Sequence, residues 1–501
     1  MKLSSLFSLL EKSPLEITIH NAGDCGWADR TDVCDLVSDS RKVRPGSVFA
    51  CVEGEHSDGH DFARSAVSSG ASLLLCGHPM DIDVPQLICG DVRRNMGRVA
   101  SLLYGEPSSK LTMIAVTGTN GKTTSAFMTK SILESSGIGT GLLGTVWCDD
   151  GVLKEDAKHT TPEGSDLQQW LHRMVSNGCR ACVMEASSHA ISQGRIDGVL
   201  FDIAGFTNLT VDHLNYHEDM ESYFKAKRKL FSDYMRGERR AAVNLDDPYG
   251  ALLHAELGER AAGYSLSDRN ADFCAEIVRM SAEGTDVLMS VPDSGSPIEM
   301  KLPLLGRYNV MNALQALSLS WMYGAGTEAV LDGLSKVKQV PGRLERYLIK
   351  GSGTCVIDFA HNPDGLEKIL SALRPLCEGR LTVVFGASGE SDKSKRPLMG
   401  ETASRLADHV IISSDNPKNE DPGLIAEEIL SGAKQYSAAC TVMIDREEAV
   451  GYGLDMLSPG DILVLAGKGP ETSQIMKDGP VPYSDRDALM GWCARKGRAV
   501  V

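Results

Sequence analysis

Short apolar, β-branched runs alternate along this chain with longer segments of helical periodicity, and polar loops rich in glycine or proline separate them. Residues 47–52 (Ser-Val-Phe-Ala-Cys-Val) and 71–76 (Ala-Ser-Leu-Leu-Leu-Cys) read as buried strands. Residues 61–69 and 91–104 read as helices, the second stopped by Gly105 and Pro107. Further strands are predicted at 111–116, 181–185 and 203–208, with helices at 126–134 and 220–235. A polar stretch over 268–304, broken by the turn 293–297, predicts a β-rich insertion, after which Gly306 opens an Ala/Leu-rich helix. Strands at 355–359, 381–385, 409–413 and 461–465 then alternate with helices. Strand–helix alternation of this kind implies βαβ units and parallel sheets, an α/β fold.

Two breaks divide the pattern. One is Gly105 and Pro107, followed by Ser108-Ser109-Lys110; the other is Pro341-Gly342-Arg343-Leu344-Glu345. They predict three domains, 1–107, 108–345 and 346–501, as 501 residues would suggest. The middle one is expected to be a parallel-sheet nucleotide-binding domain, flanked by an N-terminal α/β domain and a C-terminal Rossmann-like one.

Composition adds limits. Apolar residues make up 42% and charged residues 24%, as in an ordinary soluble globular protein. A net charge of −16 argues against a broad nucleic-acid or anionic-membrane surface. No apolar run approaches the ~18 residues a membrane span needs. The apolar stretch at residues 6–10 ends in Glu11-Lys12 with no small-residue cleavage site, so no signal peptide is expected. The 13 scattered cysteines suit a reducing cytosol. Cys179 and Cys182 form the only close pair; with no second pair zinc is not expected, and Cys182 reads as a strand residue.

The candidate chemistry gathers at strand ends. Val116–Ser125 reads V-T-G-T-N-G-K-T-T-S between a strand and a helix, the setting in which a Gly-Lys-Thr loop binds phosphate. Gly118 and Gly121 allow the tight turn, and the amides of Thr119, Asn120 and Thr124 join the helix N-terminus in an anion cradle. Lys122 would reach the β/γ-phosphates of ATP and Thr123 would hold Mg²⁺. Val116 stands where the usual motif has its first glycine. Glu185 ends the next strand, where a carboxylate can take Mg²⁺ opposite Thr123. Gln193 and Arg195 follow and could meet an anionic substrate. His213 leaves the third strand end as a candidate ligand of a second cation. Lys225, Lys227, Arg228 and Lys229 crowd one helical segment, which by itself describes a solvated face. A neutral, desolvated lysine there could instead take up CO₂ as a carbamate, an anion suited to Mg²⁺; the residues alone do not choose which. Four more polar loops, opening at Asp358, Gly386, Ser413 and Ala466, share the sheet edge of the third domain and predict a second ligand face.

Taken together these stretches resemble the Mur ligases, ATP-dependent amino-acid ligases of peptidoglycan assembly. The likeness runs nearly the full length: G-T-N-G-K-T-T, M-E-A-S-S-H, F-T-N-L-T-x-D-H-L-x-Y-H, G-R-Y-N-V-x-N, P-G-R-L-E, D-F-A-H-N-P-D-G-L, D-K-x-K-R-P-L-M and S-D-N-P-K, in family order. S-D-S-R, H-T-T-P, D-N-P-x and G-K-G-x-E point to the members that add a diamino acid as third peptide residue. The resemblance implies that Ser38, Ser40 and the loop Glu55, His56, Ser57 hold the UDP-sugar end of the substrate. It implies that Thr160, Thr161, Ser187, Gln193 and Arg195 hold the muramoyl dipeptide. Glu185 and His213 would take Mg²⁺, with Lys227, in Y-F-K-A-K, as the carbamylated lysine. Asn309, Arg343, Asp358 and Lys393 would contact ATP as the third domain closes. Arg396, Asp415, Asn416, Pro417, Lys418, Gly467 and Glu471 would hold the incoming amino acid.

The implied reaction is acyl-phosphate formation followed by attack of the amine. The implied setting is the cytoplasm, and the implied state a monomer. Diaminopimelate-adding members typically read D-N-P-R; this chain has Lys418, which keeps the charge but loses the bidentate fork. The implied amino acid is meso-diaminopimelate, with L-lysine and L-ornithine as alternatives. Pro470 stands where histidine is common. Two other readings are a folylpolyglutamate synthase-like ligase and a non-catalytic nucleotide switch. H-T-T-P and the N-terminal domain argue against the first, and the intact set Thr123, Glu185, His213 and Lys227 against the second.

Overall fold

The apolar run before the phosphate loop forms the strand Thr112–Thr117 of a computed structural model, with all but its first residue buried. The structure describes residues 1–21, 25–54, 57–281, 283–292, 296–434, 436 and 438–500, apart from the side chains of 25, 238 and 239. The described chain forms two compact units. One holds Met1–Thr117, Leu133–Phe206 and Ala226–Ala242, and the other Gly118–Ile132, Thr207–Lys225 and Val243–Val501.

The first unit opens with a five-stranded sheet in the order Thr18–His20, Gln86–Ile88, Ala71–Cys76, Ser47–Ala50, Asp35–Val37. Its first pair is antiparallel and the others parallel. Val48, Leu73 and Leu75 point from it into a core completed by Met96 and Val99 of the helix Val92–Leu103. Asp91 caps that helix by accepting from the Arg94 amide, which fixes its start where the sequence pattern places it. Further strands follow in the order Met235–Asn244, Phe201–Phe206, Thr112–Thr117, Ala181–Glu185, Thr140–Leu143, with Trp147–Asp149 and Lys154–Asp156 beyond. Val183 stands between Ile114 and Leu142 in parallel register, so Thr117 and Glu185 finish at one edge. In a parallel sheet both faces are covered, which is why these strands read as unbroken apolar runs.

In the second unit the 268–304 segment is a meander of three strands, Phe273–Ser281, Gly284–Ser290 and Ile298–Leu302. Ile298–Leu302 alternates buried and exposed residues, the mark of a sheet with one wet face. A six-stranded sheet follows in the order Glu345–Leu348, Thr354–Asp358, Ile462–Ala466, Leu381–Phe385, His409–Ile412, Ala439–Val442, parallel but for its first strand. Val356, Val383 and Val464 pack there against Leu366, Ile369 and Leu370 of the helix Pro363–Leu373.

Some boundaries differ from the sequence pattern. The helix expected over 126–134 spans Lys122–Ser135. The one expected over 220–235 ends at Asp233, because Met235 already belongs to the strand Met235–Asn244. The short strands Thr18–His20, Asp35–Val37, Gln86–Ile88 and Ala439–Val442 carry too few residues to show a period. Cys182 is a buried strand residue. Among the described residues no helix is long and apolar enough to cross a membrane.

Candidate active site

Only glycine fits the two turns of the phosphate loop. Gly118 has φ +141°, and a Cβ there would sit 1.7 Å from Thr207 Oγ1. Gly121 has φ +88°, and its Cβ would sit 2.3 Å from Asn312 Oδ1. The loop is fixed by its neighbour strand end: the Thr119 amide donates to Asn208 O at 2.8 Å and the Asn120 amide to Asn208 Oδ1 at 3.0 Å. Lys122 begins the helix and donates to Gly118 O at 3.0 Å and Thr119 O at 2.8 Å, which holds its ammonium over the loop. Thr123 Oγ1 accepts from Arg343 Nη2 at 3.1 Å.

This loop forms one wall of a cavity of about 960 Å³. Asn309 and Asn312 of the helix Arg307–Tyr323 line it, as do Arg343, Asp358 and Phe359. The volume suits a nucleotide. Asn312 donates to Asn309 Oδ1 at 3.1 Å, and Asn309 to Leu305 O at 2.7 Å, so both amides are oriented. The Arg343 guanidinium lies 4.8 Å from the Phe359 ring centroid. Burial pushes the Asp358 carboxyl up, against the pull of Arg343 and of the Leu344 and Ala360 amides that it accepts. Lys393 is not part of this wall: its ammonium pairs with Glu420 at 3.1 Å and is largely exposed. The lysine that lines the cavity is Lys368, paired with Asp364 Oδ2 at 2.6 Å, and Asp364 also accepts from Asn120 Nδ2 at 2.6 Å. Asp364 sits in the D-F-A-H-N-P-D-G-L stretch, but Lys368 lies in no quoted motif, and an Asp–Lys pair one helical turn apart looks like any solvated face.

Asp212, beside His213, is buried beside a lysine, a histidine and an asparagine. Lys395 Nζ lies 3.4 Å from Oδ1, His361 Nε2 3.5 Å from Oδ2, and Asn362 Nδ2 donates to Oδ2 at 3.0 Å. Burial alone would raise its carboxyl, but His361 and Lys395 hold it well below the usual carboxylate range. His213 itself has φ +56° and a half-exposed ring.

In the first unit Glu185 is buried, and its carboxylate is oriented by Thr145, whose amide donates to Oε1 at 2.7 Å and whose hydroxyl donates to Oε2 at 3.1 Å. The Thr161 hydroxyl donates to Glu185 O at 2.8 Å and accepts from the Ser187 amide at 3.1 Å. Thr160 Oγ1 lies 3.2 Å from Thr145 Oγ1, which can accept from it while donating to Glu185. Arg195 pairs with Glu163 at 3.1 Å, and Glu163 also takes Arg93 at 2.9 Å. Gln193 Oε1 is buried without a hydrogen-bond partner among the described residues. Burial and then Arg195 push the neighbouring His159 down, toward its neutral form. The fold thus brings Thr160, Thr161, Glu185 and Ser187 together and adds Thr145, a residue that no motif marked. Ser38 is exposed and Ser40 opens a short turn capped by Asp39; Glu55 and His56 lie outside the described residues, and Ser57 accepts from the Gly54 amide at 2.9 Å. Lys227 is 1% exposed on the helix Met220–Asp233.

The loops of the six-stranded sheet interlock. Asn416 Nδ2 donates to Glu471 Oε2 at 3.0 Å, and the Lys418 amide to Ile475 O at 3.0 Å. Lys418 takes φ +54°, and Pro417 and Asp415 before it are buried. Gly467 has φ +106°, and a Cβ there would lie 2.5 Å from Asp415 Oδ2. Pro470 fits because its partner is Gly342, where a Cβ would lie 2.3 Å from the proline ring. Arg396 departs from expectation. Its guanidinium is turned inward onto Glu420 at 3.0 Å, Glu428 at 2.8 Å and Ser388 O at 3.2 Å, and its side chain is 1% exposed. Two nearby carboxylates draw it from the ligand face, a pairing that spans 24 and 32 residues and leaves no local pattern.

Comparison with known proteins supplies an independent line. Residues 36–101 match the Mur ligase family catalytic domain, 116–320 the Mur ligase middle domain and 342–469 the Mur ligase glutamate ligase domain. The UDP-N-acetylmuramoyl-L-alanyl-D-glutamate–2,6-diaminopimelate ligase 1 of Clostridium acetobutylicum is 39% identical over 467 residues, 91% of this chain and 94% of the relative. The corresponding ligase of Geobacillus kaustophilus is 38% identical over 491 residues, 97% of this chain and 98% of the relative. A solved structure of a UDP-N-acetylmuramoyl-L-alanyl-D-glutamate–2,6-diaminopimelate ligase superposes with a TM-score of 0.63 at 30% identity, covering 96% of this chain and 98% of that one.

Proposed function

The chain belongs to the Mur ligase family of ATP-dependent ligases, and on that premise we propose that it joins a diamino acid, meso-diaminopimelate, to UDP-N-acetylmuramoyl-L-alanyl-D-glutamate in peptidoglycan precursor synthesis. The observation that carries the reading is the phosphate-loop cavity walled by Asn309, Arg343 and Asp358, in a chain that matches ligases of that name over nearly its whole length.

The reaction has two steps. An oxygen of the substrate's glutamyl carboxylate attacks the γ-phosphorus of ATP, the bond to ADP breaks, and an acyl phosphate forms. The amine of the diamino acid then attacks the acyl carbon, the C–O bond to phosphate breaks, and the nitrogen loses a proton. Phosphoryl transfer of this kind asks the protein for positioning and charge neutralisation. Lys122 and the amides of Gly118–Thr124 neutralise the phosphates, while Asn309, Arg343 and Asp358 hold the rest of the nucleotide. Thr160, Thr161, Ser187, Gln193 and Arg195 hold the muramoyl dipeptide, and Ser38, Ser40, Glu55, His56 and Ser57 its UDP end. Asp415, Asn416, Pro417, Lys418, Gly467 and Glu471 receive the diamino acid, with Arg396 and Lys393 tied to Glu420 behind them. An acyl phosphate is destroyed by water, so a walled cavity also protects it.

The family implies Mg²⁺ and a carbamylated lysine. The donors fit: the Thr123 hydroxyl, the buried Glu185 carboxylate and His213 are oxygen and nitrogen ligands, and Lys227 is screened from water. A neutral Lys227 amine would add to CO₂ and lose a proton, and the resulting anionic carbamate would offer a further oxygen donor. Bound there, Mg²⁺ supplies charge neutralisation for phosphoryl transfer. The protein acts in the cytoplasm as a monomer.

A second reading takes L-lysine or L-ornithine as the amino acid. It is favoured by Lys418, which offers a point charge in place of a fork for a distal carboxylate. The test is ATP-dependent phosphate release with the UDP-muramoyl dipeptide, each diamino acid offered separately and product masses read. Turnover with diaminopimelate supports the first reading and turnover with lysine or ornithine alone the second. No turnover with any of them sinks both.

A further inference from the structure

Lys468 lies inside the G-K-G-P-E loop with its side chain 0% exposed. Its ammonium has three donors, and three acceptors take them: Glu471 Oε2 at 2.5 Å, Ser473 O at 2.6 Å and Asn416 Oδ1 at 2.8 Å. That set saturates an ammonium, leaving no proton for a ligand. Glu471 is different. Its Oε2 is engaged twice, by Lys468 and by Asn416 Nδ2 at 3.0 Å, while the side chain remains 35% exposed. The same cation therefore fixes the rotamers of two side chains on separate loops.

Those loops are also tied by bonds between side chain and backbone. The Ile475 amide donates to Asn416 Oδ1 at 2.9 Å, and Gln474 Nε2 to Asp415 O at 2.6 Å. The geometry points to Lys468 as a positioning residue for amino-acid binding, an inference that rests on the proposed reading of Asn416 and Glu471 as the diamino-acid subsite. By holding one carboxylate oxygen, it presents the other as a single oriented acceptor for an ammonium group on the incoming substrate. Burying a charge is costly unless every donor is paired, and the full pairing of Lys468 keeps the cation in the loop. An apolar residue there would leave Glu471 held by Asn416 alone.

The test compares Lys468→Met, Lys468→Gln and Glu471→Gln in the full-length enzyme by steady-state ligation, varying diamino acid and ATP in turn. The expected result is a KM for the diamino acid raised at least about tenfold in all three, with the KM for ATP within about twofold of the parent. Glu471→Gln should add little in the Lys468→Met background, since both changes remove one coupled unit. Lys468→Gln, which keeps a donor in the niche, carries the test if Lys468→Met does not fold. If Glu471→Gln raises the KM and neither lysine variant does, the positioning inference is overturned while the subsite reading stands. If Glu471→Gln also leaves the KM unchanged, the subsite reading itself fails and the inference with it.

Discussion

Arg446 and Asp485 meet out of reach of solvent, Nη2 to Oδ2 at 2.8 Å and Nε to Oδ1 at 2.9 Å. The guanidinium also donates to Ala466 O at 2.9 Å and Ser414 O at 3.5 Å, one the last residue of its strand and the other close beyond the end of His409–Ile412. These are the points where the S-D-N-P-K and G-K-G-P-E loops leave the sheet. Removing one partner strands a buried charge, so Arg446→Met or Asp485→Asn should each cost about 3–5 kcal/mol. Tyr483 donates to Asp485 Oδ1 at 2.9 Å, and Tyr483→Phe should cost only about 1 kcal/mol. Urea denaturation of the three variants tests the ordering.

The phosphate loop has no room for a methyl group. Gly118→Ala and Gly121→Ala each force a positive φ on alanine and a clash, with Thr207 Oγ1 or Asn312 Oδ1 respectively. Ligation should fall by at least about 100-fold in kcat/KM for ATP, a misplacement effect. Circular dichroism should stay unchanged, because the strand Thr112–Thr117 and the core behind it are untouched.

Lys227→Ala should abolish ligation while the fold survives. High bicarbonate should not restore activity, since no amine remains to carry the carbamate. Near-normal turnover in this variant would remove the carbamate from the mechanism.

Acid should loosen the layer around Arg396. The hydrogen bonds from Arg396, above all, pull the Glu420 carboxyl down to about 2 from its ordinary 4.5. A carboxyl depressed on folding stabilises above its unfolded value, and that contribution is lost as pH falls from about 4.5 toward about 2. Glu420→Gln should therefore flatten the acid limb of a denaturation-midpoint-versus-pH curve in that window. An unchanged slope would mean that other carboxyls set it.

Where local structure depends on residues adjacent in the chain, the sequence was a good guide. The loop from Gly118 to Thr124, the strand end at Glu185 and the Asn309 helix all follow from local pattern, because strand, turn and helix cap are local decisions. Pairing across the chain was not legible. Arg396 looks available in D-K-S-K-R-P until Glu420 and Glu428 are brought to it by the packing of Lys395–Leu406 on Pro422–Ala433. Lys468 looks like another surface cation until three acceptors close round it. Thr145, which orients Glu185, belongs to no motif; its amide counts, and every residue type but proline has one.

The cavity wall has a consequence for biosynthesis. Thr123 is joined to Arg343 across 220 residues, and Asn120 to Asp364 across 244. A chain emerging from the ribosome makes its phosphate loop early, but Leu376, on the far wall, is added hundreds of positions later. At roughly 5–20 residues per second the delay is on the order of tens of seconds. Through that interval the half-made protein has a phosphate cradle without the rest of the wall, so ATP cannot act as a full-strength folding ligand until synthesis is three-quarters done.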